Sequence, residues 1–166
     1  MYRTNTAHHR GIMSTPAGHE SDPVDLIYEM QQPSVLSKYR IWPRPGSSSQ
    51  SSSSWKLAPK SWKLYGSNDN WANPPDTMSW TELDAQSDIT AWTSVTECTS
   101  APWCSIADRL SDANTYTVTS STAFLYYRLA ITKCSNSQTD HQQLALSEWA
   151  LYGTVVGLLC HPHSAT

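Results

Sequence analysis

Residues Ser53–Asn70 read SSWKLAPKSWKLYGSNDN, and the tetrapeptide Ser-Trp-Lys-Leu occurs in them twice, at Ser54–Leu57 and Ser61–Leu64. A seven-residue echo fits a helix, a repeat protein, or one strand preceded by a lookalike in its loop. The heptad is not sustained beyond the two copies, which excludes a coiled coil. No other segment carries the unit, which excludes a solenoid. Pro59 lies between the copies and interrupts any helix. The second copy runs into Gly66-Ser67-Asn68-Asp69, a turn signal, and alternates: Trp62 and Leu64 share one face, Lys63 and Tyr65 the other. It is expected to be a strand. The first copy emerges from seven Ser and one Gln (Ser47–Ser54), a low-complexity stretch, and is expected to be loop. An odd slip between the copies would invert the buried face, so the fold must select one of them.

The same alternation recurs along the chain. Val24–Met30 places Val24, Leu26, Tyr28 and Met30 together, with Ile27 opposite. Val35–Trp42 places Val35, Tyr39 and Ile41 on one face and Lys38 and Arg40 on the other, between Pro33 and Pro43. Trp80–Asp84 and Tyr116–Thr119 are short strand candidates. Phe124–Thr132 is almost continuously apolar, as a central strand is. Leu144–Gly153 closes the set. Seven strands with Pro, Gly, Ser, Asn and Asp between them, and no long amphipathic helix, predict an all-β, antiparallel sandwich or barrel.

Composition narrows the function. The chain has 166 residues, enough for one ordinary domain. Net charge is −3, with no basic footprint for nucleic acid or anionic membrane. Eight Trp and eight Tyr stand against a single Phe. Trp and Tyr join an apolar body to a polar tip and suit half-wet surfaces and sugar faces. No apolar run is long enough to insert in a membrane. Met1–Asp22 is polar and rich in His, without the apolar stretch of a signal peptide. We divide the chain into a polar segment over 1–22, a sandwich over 23–153 and a tail over 154–166.

Catalytic motifs are sparse. There is no Gly-x-Ser-x-Gly elbow and no Gly-rich phosphate loop. Glu82 and Asp84, two apart in a strand, are expected on one face about 6.5–7 Å apart, a spacing open to an inverting glycosidase pair. No cleft signal accompanies them, and two solvated carboxylates are the simpler reading. Four cysteines, Cys98, Cys104, Cys134 and Cys160, allow three pairings. Cys98 and Cys104 bracket CTSAPWC and could bridge. Cys160, His161 and His163 would need further ligands to hold zinc.

Five segments in order, LSKYRIWPR, APKSWKLYGSNDN, WTELDAQSDITAW, TAFLYYRLAITKCSN and LALSEWALYG, resemble the later strands of a discoidin-like domain. This is the coagulation-factor type C family, whose galactose-binding-like sandwich is shared with carbohydrate-binding module family 32. The resemblance covers about Pro23–Gly153. It implies an eight-stranded antiparallel jelly-roll β-sandwich with ligand loops at one end, and a non-catalytic, lectin-like adhesion module that binds cell-surface glycans. Sugar-binding members use a His, an Arg at the end of a strand and a nearby Asn. Arg44 matches the Arg, and His8 or His9 the His. The Asn has no counterpart in PGSSSQSSSS. Trp55, Trp71, Trp103 or His141 would supply the aromatic platform. The family also holds a structural calcium through a Glu in its last strand, which Glu148 matches, whereas the family's early Asp-Gly is absent. GSNDN (Gly66–Asn70) corresponds to the family's strand-to-strand turn, so its Asn and Asp are expected to satisfy backbone groups.

The Ser-rich loop, the lack of an export signal in Met1–Asp22 and the abbreviated N-terminal part of the resemblance suggest a surface protein of a virion or phage, in a tail fibre or capsid decoration, with neighbouring subunits as partners. Two alternatives stand beside this: a structural virion protein that docks without binding sugar, and a secreted, extracellular adhesin stapled by Cys98–Cys104.

Overall fold

The computed structural model describes residues 23–43, 58–69, 77–90, 92, 113–134, 144 and 146–157. They form six antiparallel strands: β1 (Val24–Pro43), β2 (Pro59–Ser67), β3 (Thr81–Gln86), β4 (Asn114–Thr117), β5 (Ala123–Cys134) and β6 (Leu146–Val155). The order is β3-β2-β5-β1-β4, with β6 also paired to β1. The two early candidates are one strand. β1 runs beside β5 from Val24 to Glu29, breaks register up to Ser34, and then continues between β4 and β6. Pro33 therefore sits at an irregularity within β1 rather than at its start. Four residues of β1 stand there against one of β5, an enlarged bulge that redirects a strand from one layer to the next. The sheet curls into two layers: β3-β2-β5 with the first half of β1, and β4 and β6 with its second half.

The interior follows the alternation read from sequence. Trp62 and Leu64 are buried and Lys63 is exposed, so the second Ser-Trp-Lys-Leu is the strand. The first copy lies outside the described residues, apart from Ala58 beyond it. Leu26, Leu64 and Leu129 stand side by side across β1, β2 and β5. In the second half of β1, Tyr39 and Ile41 are buried as expected. Leu36 is buried where Val35 was expected, because β1 slips against β6 between Leu36 and Lys38 and resets the alternation. β6 continues through Gly153 to Val155, so Thr154 and Val155 pair with β1, while Val156 is exposed.

Two glycines allow close approach. A Cβ on Gly66 would meet the ring of Phe124, and one on Gly153 would meet the Val35 carbonyl. The GSNDN turn satisfies backbone, as expected. Asn68 Nδ2 donates to the Ala123 carbonyl at 2.9 Å, the Leu125 amide donates to Asn68 Oδ1 at 2.9 Å, and the Ser79 amide donates to Asp69 Oδ2 at 2.6 Å.

Candidate functional site

The densest polar and aromatic cluster among the described residues lies between the layers. Tyr39 enters from the second half of β1, Trp62 from β2, Asp84 and Gln86 from β3, and Tyr116 from β4. The Tyr39 and Tyr116 rings stack at 5.1 Å, and Trp62 meets Tyr116 edge-on, also at 5.1 Å. Trp92 packs 6.1 Å from Trp62 and donates its indole N–H to the Pro59 carbonyl at 3.0 Å. A hydrogen-bonded chain crosses the layers: Trp62 Nε1 donates to Tyr39 Oη at 2.8 Å, and Tyr39 Oη donates to Asp84 Oδ2 at 2.6 Å. Gln86 Nε2 donates to both Asp84 oxygens, at 3.1 and 3.0 Å.

The electrostatics keep these phenols protonated. Burial raises the Tyr39 pKa far above its ordinary value, and the bond to Asp84 adds to that. Burial also raises Tyr116, whose bond to Asn114 opposes the shift. A phenol held neutral in this way is neither base nor nucleophile. The groups are committed to one another and tie the layers together.

Glu82 and Asp84 do not form a pair. β3 slips against β2 so that Leu64 faces Asp84 and Tyr65 faces Glu82, with Leu83 as the extra residue. This bulge inverts the alternation. Asp84 turns inward to Tyr39, while Glu82 turns outward and binds Lys63 at 2.8 Å. The expectation that both carboxylates share a face is corrected, and the geometry offers no acid–base couple there.

The rim expected to hold sugar begins where β1 ends. Trp42 and Pro43 are buried, and Ser147 Oγ donates to the Pro43 carbonyl at 2.7 Å. Arg44 follows directly, but Arg44, His8, His9, Trp55, Trp71, Trp103 and His141 all lie outside the described residues. Glu148 is described. It pairs across the sheet with Trp42 and is 2% exposed. Calcium takes six to eight oxygens. Among the described residues no three His, Cys, Asp or Glu side chains converge, so Glu148 is one buried carboxylate and any further ligands would come from elsewhere in the chain. Cys134 is buried, and Cys98, Cys104 and Cys160 lie outside the described residues.

Sequence reasoning did not single out the Tyr39–Asp84 cluster. Alternation placed Tyr39 inward, but nothing in TELDAQ announces that Leu83 bulges.

No family model and no curated protein matches the sequence. Solved structures do match in fold. A SusE-like protein superposes with a TM-score of 0.57 at 20% identity, over 86% of this chain and 52% of its own. A fragment of a putative chitobiase from Bacteroides thetaiotaomicron gives 0.51 at 15% identity, over 82% of this chain and 65% of its own. CBM62 from Clostridium thermocellum Xyl5A gives 0.50 at 13% identity, over 94% of this chain and 100% of its own. The chain thus spans about half of the SusE-like protein, 52%, and less than two thirds of the chitobiase fragment, 65%. At these identities the likeness is one of fold. The galactose-binding-like antiparallel sandwich implied by the resemblance is the fold of this chain.

Proposed function

We propose that this chain is a non-catalytic glycan-binding module whose rim, beginning at Arg44, contacts a neutral sugar. The observation that carries the reading is the anchored end of β1. Pro43, the last described residue of β1, is buried, and its carbonyl accepts from Ser147 Oγ at 2.7 Å, so the strand that precedes Arg44 in sequence ends at a fixed point of the sandwich. Guanidinium donors suit sugar hydroxyls, and Trp55, Trp71, Trp103 or His141 would offer a ring to the C–H face. His8 or His9 would add a further polar contact. Glu148 would contribute to a structural calcium that steadies the loops, without a part in sugar chemistry. The opposed directions of Glu82 and Asp84 favour binding over hydrolysis.

The module would act at the surface of a larger assembly, such as a phage fibre or capsid, with neighbouring subunits as partners. A purely structural role is favoured by one feature. The first half of β1 pairs with β5 alone among the described residues, leaving its other edge for a neighbour.

Isothermal titration with galactose, lactose and N-acetylgalactosamine tests the glycan reading. Binding at millimolar or tighter that Arg44→Ala weakens at least tenfold supports it. No binding to any of them, or an Arg44→Ala variant identical to the parent, sinks it in favour of the structural role.

A further inference from the structure

The outer face of β4, the second half of β1, and β6 carries a feature that neither the core nor the rim uses. Since Tyr39 and Ile41 point inward, Lys38 and Arg40 point outward, about 6.5–7 Å apart along the strand. Each has a hydroxyl beside it on β4: Thr117 opposite Lys38 and Thr115 opposite Arg40. On the β6 side Tyr152 stands opposite Lys38, and Trp42 lies two residues beyond Arg40. The Lys38 ammonium sits 5.2 Å from the Tyr152 ring centroid, and the Arg40 guanidinium 5.9 Å from the Trp42 ring. Arg40 Nε donates to Thr115 Oγ1 at 2.9 Å, which fixes the direction of the fork. Lys38, Thr115 and Thr117 are exposed, and Arg40 and Tyr152 are half-buried.

Among the described residues neither cation is paired with a carboxylate. Lys60, Lys63 and Arg128 are each paired, with Asp88, Glu82 and Asp25. Among the described residues Lys38 and Arg40 have no acidic group within ion-pair distance. Glu148, across from Trp42, is buried. Two uncompensated cations side by side repel each other, and on a chain of net charge −3 they are not part of a general positive surface. An anion between them removes that repulsion and takes charge-assisted hydrogen bonds from both.

We infer that Lys38 and Arg40, with Thr115, Thr117 and Tyr152, form a second binding site that takes an acidic saccharide, one bearing a carboxylate or a sulfate. The cations bind the acid group. The threonine hydroxyls, which both donate and accept, suit the neighbouring sugar hydroxyls. The edge of Tyr152 gives a C–H surface beside them. This site rests on the glycan-binding reading but is separate from the Arg44 rim, and it extends the ligand class from neutral to acidic sugars.

The test is amide chemical-shift mapping with the full chain at low and at 0.15 M salt. The probes are a galacturonate trisaccharide, a sulfated disaccharide, neutral galactose and a short single-stranded oligonucleotide. Shifts confined to residues 37–41, 114–117 and 150–153 with either acidic sugar, weaker at higher salt, support the site, and the two acids separate carboxylate from sulfate recognition. The double variant Lys38→Gln/Arg40→Gln keeps the side-chain stems, and its melting temperature reports that it folds. It is expected to lose affinity for the acidic sugar about tenfold or more, equivalent to at least one charge-assisted contact. The inference is overturned if neither acidic sugar moves these amides, if the double variant binds as the parent does, or if galactose or the oligonucleotide moves them equally. Arg44→Ala separates the two readings. Loss of galactose with acidic binding intact leaves both standing. Acidic binding without any galactose binding sinks the rim reading alone, and galactose binding at the rim without acidic binding sinks the second site alone.

Discussion

The Tyr39 hydroxyl lies 2.6 Å from Asp84 Oδ2 and joins the outermost strand of one layer to the long strand of the other. β3 pairs only with β2 among the described residues, so this bond holds it against the opposite layer, while the Gln86 contacts, made within β3, steady the Asp84 carboxylate. Tyr39→Phe removes the donor to Asp84 and the acceptor of Trp62 Nε1 in one step. Asp84 keeps its bonds from Gln86, but the buried Trp62 indole N–H is left without an acceptor, which costs about 1–3 kcal/mol. Urea denaturation should show a lower midpoint at an unchanged slope, corresponding to a stability loss of about 1–3 kcal/mol. Asp84→Asn keeps the shape and an acceptor, so it should cost less than Tyr39→Phe. Equal stability of Tyr39→Phe and the parent would mean that the bond does not hold the layers.

Glu82 offers the matched contrast. Its carboxylate meets Lys63 at 2.8 Å on a half-exposed face, where ion pairs contribute about 0–1 kcal/mol. Glu82→Gln should shift stability by less than about 1 kcal/mol and leave sugar binding untouched. A loss as large as that of Tyr39→Phe would show that the two carboxylates act together after all, and would reopen the paired-acid reading.

How much of this was legible in advance can be read from particular residues. Trp62 and Leu64 against Lys63 gave the face of β2 from the period-two pattern alone, because one side of that strand is core and the other is water. Strand boundaries were less visible. Pro33 looked like a strand start, yet β1 carries it inside an irregularity where its missing N–H is tolerated. The bulges at Leu83 and near Ser37 were not legible, since each depends on how a partner strand is offset and leaves no local composition signal. The inward turn of Asp84 follows from such an offset. Arg44, His8 and His9 come from the resemblance, Trp55, Trp71, Trp103 and His141 from the need of a sugar for an aromatic face, and the test of all of them is the sugar titration.

The two tight glycines should respond differently to a methyl group. At Gly153 the added Cβ meets the Val35 carbonyl, which belongs to the paired backbone of β1 and β6. At Gly66 it meets the ring of Phe124, a side chain that a smaller residue can replace. Overpacking of this kind costs about 1–3 kcal/mol. Gly153→Ala should be the more damaging, and Gly66→Ala should be partly rescued by Phe124→Leu. Thermal melts of the three variants check this, and a Gly66→Ala loss that Phe124→Leu leaves unchanged would place the clash elsewhere.

Alkaline pH should loosen the sandwich. Tyr39, Tyr116 and Tyr127 all have raised pKa values, chiefly from burial, and that of Tyr127 is pushed up to about 12. An unfolded tyrosine titrates near 10. Between these values the unfolded chain has released protons that the folded chain still holds, so stability falls as pH rises. The contribution of Tyr127 is complete below about pH 10 and is lost progressively as pH climbs through about 12. Melting temperature followed from pH 8 to pH 12 should therefore stay level with respect to these groups up to about 10 and then drop. Tyr127→Phe lacks the ionisable group. It should start lower, because the hydroxyl bond to the Ser34 carbonyl at 2.5 Å is gone, and should show a shallower decline above pH 10 than the parent. Parallel curves for parent and variant would mean that Tyr127 ionises as readily folded as unfolded, contrary to its burial beneath the bend in β1.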